Sequence, residues 1–379
     1  MPVALRKGDI YDRLSKIDPT IITIDEVVEQ AVRELTLHVG IVNIMPDAAL
    51  FATERQFVMP LHYAASGIKI IPHFISLDGV ERDDGSKKQG DINYKKYVEE
   101  NYITFDKAKE DGLDALIISG ANFIGSDLRT ADFYNPLAEV IEWSGSDKGT
   151  TSALHSCLAS HAYMSIVHNI TREKMPEKLW GVYGHEVKDE NHPLTRGMDS
   201  FFYIPHSRWN KITEQQFQDA GMNILIDSKK AGVHMATSPD GLRSVLWQGH
   251  PEYEKISLLL EWTRDLGLTQ DRRLNGEPID LSPFPHKYLR KEGASLAEEH
   301  RKKVEQGEYY NQIKKGTLPP ATRNKIAEHT PNRWTSSYRA LMSNWVAAVY
   351  DKTHIDRHKP FEDGVNPDDV FNLNDDEPS

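Results

Sequence analysis

The stretch that decides the fold is residues 37–45, which read LHVGIVNIM and stop at Pro46. This run is apolar and rich in β-branched residues, which predicts a strand buried on both faces. Similar runs follow at residues 68–77, 114–120 and 151–156. Predicted helices separate them, from Thr53 onward and at residues 94–111, 133–143 and 158–167. Because strands alternate with helices, we expect a three-layer α/β/α fold with a mostly parallel sheet.

The carboxyl ends of parallel strands meet at one edge of such a sheet, and ligands bind beyond that edge. Met45 and Pro46 end the first predicted strand, and Gly120 and Ala121 end the third. Cys157 follows the fourth. The sequence therefore predicts that these positions lie close together on one rim.

The second half of the chain has a more antiparallel character. Residues 233–237 and 242–248 flank Ser238-Pro239-Asp240-Gly241, which is typical of a hairpin turn. Further helices are predicted at residues 253–266, 296–315 and 334–350. We divide the chain into four parts. Residues 1–36 form an N-terminal arm with short helical pieces, and residues 37–268 form a catalytic domain. Residues 269–350 form a C-terminal helical extension that packs on the core and contains an insertion at 296–330, and residues 351–379 form an acidic tail that we expect to be frayed.

Composition excludes several classes of protein. Lys plus Arg is 45 and Asp plus Glu is 57, a net charge of −12, which argues against a nucleic-acid-binding protein. No stretch is apolar and long enough to cross a membrane, and the first 18 residues lack the apolar core of a signal peptide. We therefore expect a cytoplasmic protein. A single cysteine excludes a disulfide framework or a cysteine-rich metal site.

That cysteine, Cys157, is the first candidate catalytic residue. It precedes a predicted helix whose positive N-terminal end would stabilise a thiolate. A nucleophilic thiol needs a base, and the base needs a group that orients it. His250 and Glu252 fit these roles if the segment is extended, because their side chains then share one face. An ordinary buried cysteine and a surface His-Pro turn are the alternatives. A metal pair at His250 and Glu252 lacks a third ligand, so we expect no metal.

Other candidates carry weaker signals. Gly120 and Ala121 follow a buried strand, where free backbone N–H groups could form an oxyanion hole. Arg264 follows His250 on the next predicted helix, and a guanidinium suits a substrate carboxylate. Taken alone, that arginine reads as a solvated helix charge, and Lys178 and Ser207 are unremarkable.

Taken together, these pieces resemble the homoserine O-succinyltransferase family, including its O-acetyltransferase members. The resemblance covers roughly residues 37–350. The motifs that carry it are Val42–Pro46, Thr53–Phe57, Ile118–Ala121, Glu142–Ser144, the turn at Cys157, Glu177–Tyr183, Leu194–Gly197, Pro205–Arg208, Gly249–Tyr253, Arg264–Asp265 and Ser343–Trp345.

The resemblance implies a class I glutamine amidotransferase-like, flavodoxin-like fold. It implies ping-pong acyl transfer from an acyl-CoA to L-homoserine, for methionine synthesis, with acyl-CoA as co-substrate and no bound cofactor. Cys157 would be the nucleophile, His250 the base and Glu252 its orienting group. Lys178, Ser207 and Arg264 match positions that hold the amino acid. Residues 120–124 match the oxyanion and acyl loop. We also expect a homodimer.

This sequence departs from the family pattern at three places. Asp47 stands where a lysine is frequent, so a positive charge near the rim is lost. Leu158 stands where many members have tryptophan. Ile124 aligns with the acyl-selecting position, where glycine accompanies succinyl transfer and glutamate accompanies acetyl transfer. Because no glutamate repels the second carboxylate of succinyl-CoA, we favour succinyl-CoA over acetyl-CoA as donor.

Three alternatives stay open at this point. The acceptor could be serine or another hydroxy-amino acid. The same fold could act as a glutaminase-type amidotransferase, although Cys157 lacks flanking glycines and no synthetase partner domain is evident. A binding module without catalysis is the third, and the joint presence of Cys157, His250 and Glu252 argues against it.

Overall fold

The computed structural model describes residues 4–5, 22–23, 35–64, 67–86, 92–274, 284–306, 308 and 318–373. Most of the predicted N-terminal arm lies outside these residues. Within the arm, β1 (Ala4–Leu5) pairs in parallel with β2 (Ile22–Thr23). Among the described residues, no helix combines the length and the apolar character needed to cross a bilayer.

The core of the described structure is a nine-stranded sheet. Its strands in chain order are β3 (Thr36–Val42), β4 (Lys69–Ile75), β5 (Ala115–Ile118), β6 (Ser152–Ser156), β7 (Glu173–Val187), β8 (Phe201–Lys211), β9 (Asn223–Asp227), β10 (Met235–Thr237) and β11 (Ser244–Trp247). Their spatial order is β4-β3-β5-β6-β11-β10-β9-β7-β8.

The first five strands of that spatial order are parallel neighbours. Numbered along the chain, their order is 2-1-3-4-5, which is the flavodoxin-like arrangement. The other four strands are joined by antiparallel pairs. The sheet thus has a parallel half, as the sequence predicts, and an antiparallel half.

Ten α-helices accompany the sheet in the described residues. They are α1 (Leu50–Ala64), α2 (Tyr94–Asn101), α3 (Phe105–Asp111), α4 (Tyr134–Ser144), α5 (Leu158–His168), α6 (Glu214–Asp219), α7 (Ser257–Leu274), α8 (Lys291–Glu305), α9 (Pro320–Glu328) and α10 (Thr335–Lys352).

Helices cover both faces of the sheet. On one face, Val39 and Ile41 of β3 share a buried cluster with Phe57 of α1 and Trp345 of α10. On the other face, strand residues such as Ile118 share a second cluster with helices α3, α4 and α5. The three-layer α/β/α architecture is therefore confirmed, and α10 forms part of its main core.

The single helix predicted over residues 94–111 is wrong. Ile103 pairs instead with the edge strand β4, because its N–H donates to Phe74 and its carbonyl accepts from Ser76. Thr104 then caps the N-terminus of α3 by accepting from the backbone N–H of Lys107 at 3.2 Å. A polar periodicity alone does not reveal that one residue between two helices extends the sheet.

The predicted hairpin at Ser238–Gly241 is confirmed. It joins the antiparallel strands β10 and β11. Gly241 has φ of +90°, and its N–H donates to the carbonyl of Ser238 at 2.9 Å. Glycine adopts this left-handed conformation at no steric cost, which is why it closes the turn.

The C-terminal region forms a third buried cluster. Trp262 of α7 packs there with Tyr288, with Trp334 and with residues of α8 and α9. Helix α8 begins at Lys291, earlier than predicted, and residues 309–315 of the predicted helix lie outside the described part. The domain bounds given above stay a prediction.

Residues 353–373 are packed, contrary to the expectation of a frayed tail. Phe361 and Val370 are buried in the main core. Arg357 donates to the carbonyl of Asp111 through Nε at 3.2 Å and Nη2 at 3.1 Å. The acidic composition alone therefore does not predict that this segment packs. Two apolar side chains and an arginine anchor it to the core. Residues 374–379 lie outside the described residues.

Candidate active site

Cys157 lies at the turn between β6 and α5, at the carboxyl edge of the parallel strands. Its backbone has φ of 50° and ψ of −107°, a conformation that costs free energy for a residue other than glycine. Its N–H donates to the carbonyl of Trp247 at 2.6 Å. A strained strand-to-helix turn of this kind presents a nucleophile at the top of the sheet.

The predicted rim residues do meet around this turn. A Cβ atom added to Gly120 would lie 3.4 Å from the Cβ of Cys157 and 3.9 Å from the sulfur of Met45. Glycine at position 120 thus allows the end of β5 to approach the thiol closely. The expectation that the ends of three strands share one edge is confirmed.

His250 and Glu252 follow β11 and face the same edge. His250 Nδ1 and Glu252 Oε1 are 2.7 Å apart, and both side chains are buried. The segment is not extended as assumed. It turns, since the N–H of Tyr253 donates to the carbonyl of His250 at 3.2 Å. The Tyr253 ring stacks on the imidazole with centroids 4.2 Å apart, so His250 is fixed from two sides.

The electrostatics of this group favour an ion pair. Burial lowers the pKa of His250, but the negative charges of Cys157 and Glu252 and their side-chain hydrogen bonds outweigh it and raise that pKa well above its ordinary value. An imidazolium beside Cys157 stabilises a thiolate, which is the reactive form of cysteine. The arrangement can therefore act as a nucleophile, base and orienting carboxylate.

Behind the histidine, Gly249 is required by close packing. A Cβ atom there would lie 2.8 Å from the His206 ring and from Ile204. His206 is fully buried and stacks on His185 with ring centroids 5.0 Å apart. Burial lowers the pKa of both histidines, which keeps this support for the loop that carries His250 uncharged.

The predicted acyl-pocket residues surround the thiol. Ala121, Ile124 and Leu158 line one pocket with Cys157. Because the N–H of Cys157 itself donates to Trp247, it is not free to stabilise an oxyanion. Leu158 is the first residue of α5, where backbone N–H groups have no acceptor within the helix. Gly120, the other predicted source of oxyanion donors, lies close to the Cβ of Cys157.

Two of the three predicted substrate-binding residues converge on a carboxylate that the sequence analysis did not single out. Glu261 of α7 accepts from the hydroxyl of Ser207 at 2.5 Å and lies 3.5 Å from the ammonium of Lys178. It also accepts from the hydroxyl of Tyr253 at 2.6 Å. This network ties β7 and β8 to the ring that stacks on His250. Only Glu261's position three residues before Arg264 could have drawn attention to it.

Arg264, the third of these residues, is half exposed. Its Nη2 atom lies 3.1 Å from Asp265 Oδ1, and Lys178 Nζ lies 3.4 Å from Asp265 Oδ2. The ammonium of Lys178 also lies over the Trp180 ring, 4.0 Å from its centroid. Ser207 lines the Cys157 pocket, whereas Lys178 and Arg264 are grouped around Asp265 and do not line it.

The positive charge that Asp47 removes from the rim is supplied by another residue. Arg82 donates through Nη1 to the carbonyl of Met45 at 2.7 Å and to Asp47 Oδ1 at 3.2 Å. Its Nη2 atom donates to the carbonyl of Asn43 at 2.9 Å. The aspartate thus holds an arginine against the end of β3.

Two buried arginines in the pocket were also missed. Arg172 and Arg208 line it together with Cys157. Arg208 belongs to a quoted motif, Pro205–Arg208, but nothing in its spacing marks it as a pocket residue. Arg172 lies in no motif, so only the fold reveals it.

The chain is similar to several known proteins. The family model described as homoserine O-succinyltransferase matches residues 2–355. A homoserine O-succinyltransferase of Thioalkalivibrio nitratireducens is 39% identical over 96% of each chain. One of Allochromatium vinosum is 38% identical, again over 96% of each chain. A solved glutamine amidotransferase from Thermotoga maritima has a TM-score of 0.40 and 11% identity, over 78% of this chain and 99% of that one. With a family model spanning nearly its whole length and relatives of this similarity, the chain belongs to the homoserine O-succinyltransferase family.

Proposed function

We propose that this protein transfers the succinyl group of succinyl-CoA to the hydroxyl of L-homoserine, giving O-succinyl-L-homoserine for methionine biosynthesis. The observation that carries this proposal is the Cys157–His250–Glu252 group at the carboxyl edge of the sheet. The succinyl donor is supported by the names of the relatives and by the lack of a carboxylate at Ile124.

In the first half-reaction, the Cys157 thiolate attacks the thioester carbonyl of succinyl-CoA. The negative charge moves to the carbonyl oxygen, which the N–H of Leu158 and the backbone near Gly120 stabilise. When the tetrahedral intermediate collapses, the bond to the CoA sulfur breaks and CoA leaves. The His250 imidazolium gives its proton to that sulfur, which leaves a succinyl-cysteine and a neutral imidazole.

In the second half-reaction, homoserine occupies the place of CoA. Neutral His250 takes the proton of its hydroxyl, and the oxygen attacks the carbonyl of succinyl-Cys157. The carbon–sulfur bond then breaks, which releases O-succinylhomoserine and restores the thiolate–imidazolium pair. Glu252 holds the imidazole in one orientation throughout, since its hydrogen bond to Nδ1 directs Nε2 toward the reacting atoms.

The acceptor is held by the network around Glu261 and Asp265. Arg264 and Lys178 supply positive charge for the homoserine carboxylate, and Glu261 supplies negative charge for its ammonium. Ser207 both lines the Cys157 pocket and bonds Glu261, so it connects the acceptor site to the thiol. An amino acid bound between these opposite charges would direct its side-chain hydroxyl toward Cys157.

The proposal extends to the assembly and the compartment. The protein functions as a homodimer in the cytoplasm, as family resemblance and composition led us to expect. Light scattering on the purified full chain tests the first point, and a mass of one chain at working concentration would contradict it. Fractionation of the native cells tests the second, and recovery in the membrane or secreted fraction would contradict it.

Intact-protein mass spectrometry tests the reaction directly. The protein is exposed briefly to succinyl-CoA or acetyl-CoA, and then to homoserine, serine or glutamine. We expect a mass increase of one succinyl group on Cys157 that homoserine removes. The Cys157→Ala variant is the control and should gain no mass. If serine removes the succinyl group from Cys157 faster than homoserine does, the acceptor is serine instead of homoserine. Absence of any adduct, together with ammonia release from glutamine, would replace this function with that of an amidotransferase.

A further inference from the structure

Two arginines are buried in the pocket that holds the nucleophile. Arg172 is 5% exposed and Arg208 is 6% exposed, and both line the pocket with Cys157. Taking a guanidinium out of water costs free energy unless another charge or a full set of hydrogen bonds compensates it. Two such groups beside one thiol therefore require a physical explanation.

Neither arginine forms an ion pair with a carboxylate in the part of the chain that the structure describes. Arg208 uses its donors on protein groups. Nη1 donates to the carbonyl of Asn210 at 2.9 Å, Nη2 donates to the carbonyl of Ala231 at 2.5 Å, and Nε lies 3.5 Å from His206 Nδ1. Arg208 thus contributes positive charge to the pocket but has few donors left for a ligand.

Arg172 differs in one respect. Its Nε donates to the carbonyl of Gly125 at 3.1 Å, and its Nη2 donates to the carbonyls of Phe123 at 2.8 Å and of Gly125. Its Nη1 has no hydrogen-bond partner among the described residues and is not sealed from solvent. One amino group of a buried guanidinium is therefore left to a ligand in the pocket.

The charge of both arginines persists at neutral pH. Burial lowers the pKa of Arg172 and of Arg208 to about 10, and the negative charge of Cys157 acts in the opposite direction. Once Cys157 is acylated, that negative charge disappears. No carboxylate is among the described residues that line the pocket, so the two buried cations then depend on the acyl group for a counter-charge.

From this geometry we propose that Arg172 binds the terminal carboxylate of the succinyl group through Nη1, with Arg208 adding positive charge, and that this contact selects the donor. The inference rests on the proposed succinyl transfer and names the group that recognises the succinyl end. The position of Arg172 supports an acyl ligand over the homoserine carboxylate. Its guanidinium holds the carbonyls of loop 123–125, beside Ile124, whereas the acceptor network lies around Glu261 and Asp265.

The test compares three donors that acylate the same cysteine. Butyryl-CoA has the same chain length as succinyl-CoA but lacks the terminal carboxylate, and acetyl-CoA is shorter and also neutral. In the unmodified protein, we expect kcat/KM for acylation to be about 10- to 100-fold higher with succinyl-CoA than with butyryl-CoA, as for loss of one charged hydrogen bond. Equal values for the two donors would overturn the proposal without any variant.

Two substitutions separate charge from loop support. Arg172→Gln should lower kcat/KM for succinyl-CoA about 10- to 100-fold and change the neutral donors less than about threefold. Arg172→Lys keeps the charge without the planar fork and should retain part of the succinyl preference. Arg129→Gln is the matched control, because Arg129 is exposed and paired with Asp127 just beyond the same loop. This control should leave kcat/KM for acylation unchanged with all three donors.

The remaining outcomes point elsewhere. Equal losses with charged and neutral donors in Arg172→Gln would mean that the arginine only supports the loop. A parallel loss in the rate of Cys157 alkylation by iodoacetamide would mean that it stabilises the thiolate. Either result overturns this proposal while leaving succinyl transfer intact. Failure of the unmodified protein to be acylated by succinyl-CoA would instead overturn the proposed function.

Discussion

The two halves of the sheet contribute different parts of the site. The parallel half ends in Gly120, Cys157 and the loop that carries His250, and we propose that this loop activates the Cys157 thiol. The antiparallel half carries Lys178 on β7 and Ser207 on β8, and these strands pair directly, with Trp180 opposite Ser207. In the reaction that we propose, one half therefore provides the reactive thiol, and the other provides contacts that select the substrate.

The physical reason lies in the geometry of each half. Parallel strands end together at one edge, where loops and a helix N-terminus can surround a single atom. Antiparallel strands β7 and β8 instead place side chains of neighbouring strands side by side over a long surface. Such a surface can carry several charges at fixed separations, which suits recognition of an amino acid with two charged ends.

Removing the thiol should have the largest effect. Cys157→Ala leaves no atom to carry the acyl group, so we expect transfer to fall by about a millionfold, as when other covalent nucleophiles are removed. Steady-state assays with succinyl-CoA and homoserine measure this loss. Far-UV circular dichroism of the variant serves as the folding control. Substantial turnover in a folded variant would show that the acyl group passes directly between substrates.

Glu252→Gln should have the next largest effect, also within the parallel half. It keeps the shape of the side chain but removes the charge that orients the imidazole, so we expect kcat to fall about 10²- to 10⁴-fold.

The same variant predicts a shift with pH. Against the lowering effect of burial, the charges of Cys157 and Glu252 raise the pKa of His250. Without Glu252, the imidazolium loses its proton at lower pH and the thiolate is less stabilised. The rate of Cys157 alkylation by iodoacetamide should therefore rise only at higher pH than in the unmodified protein. An unmoved profile would mean that Glu252 does not set the charge of this pair.

Glu261→Gln moves the test to the residue of α7 that contacts Lys178 and Ser207 of the antiparallel half. The substitution removes the charge that we assign to the homoserine ammonium, so the KM for homoserine should rise about 10- to 100-fold. The rate of Cys157 acylation by succinyl-CoA should change less than about threefold. Glu139→Gln is the control, because Glu139 is exposed, pairs with Lys109 and does not line the pocket. If the acylation rate and the reaction with homoserine fall equally, the two halves of the sheet do not have separate roles.

The same division describes what the sequence predicted. The strands of the parallel half are continuous apolar runs, and one rule about their carboxyl ends places Met45, Gly120 and Cys157 together. Strand β7 carries charged residues and Pro176, so its pattern does not indicate a strand. Periodicity cannot show which isolated charges a long hairpin will bring into contact. Arg172, just before β7, and Glu261, on α7, were missed because neither carries a periodic or motif signal of its own. The structure does bring Cys157, His250 and Glu252 together as neighbours.

Arg264→Ala should have the smallest effect. A guanidinium that binds a substrate carboxylate contributes about the binding free energy of one charged hydrogen bond. Arg264, however, is half exposed and already bound to Asp265. Solvent weakens its charge, and part of its binding capacity must be released from Asp265 before homoserine can use it. We therefore expect the KM for homoserine to rise about 3- to 10-fold, at the low end of a charged contact, while the KM for succinyl-CoA stays constant. Arg129→Ala, at a more exposed arginine that is likewise paired with an aspartate, should change neither KM. If the KM for homoserine does not change, Lys178 alone holds the carboxylate. The surface that recognises homoserine is then confined to strands β7 and β8 and the carboxylates that pair with them.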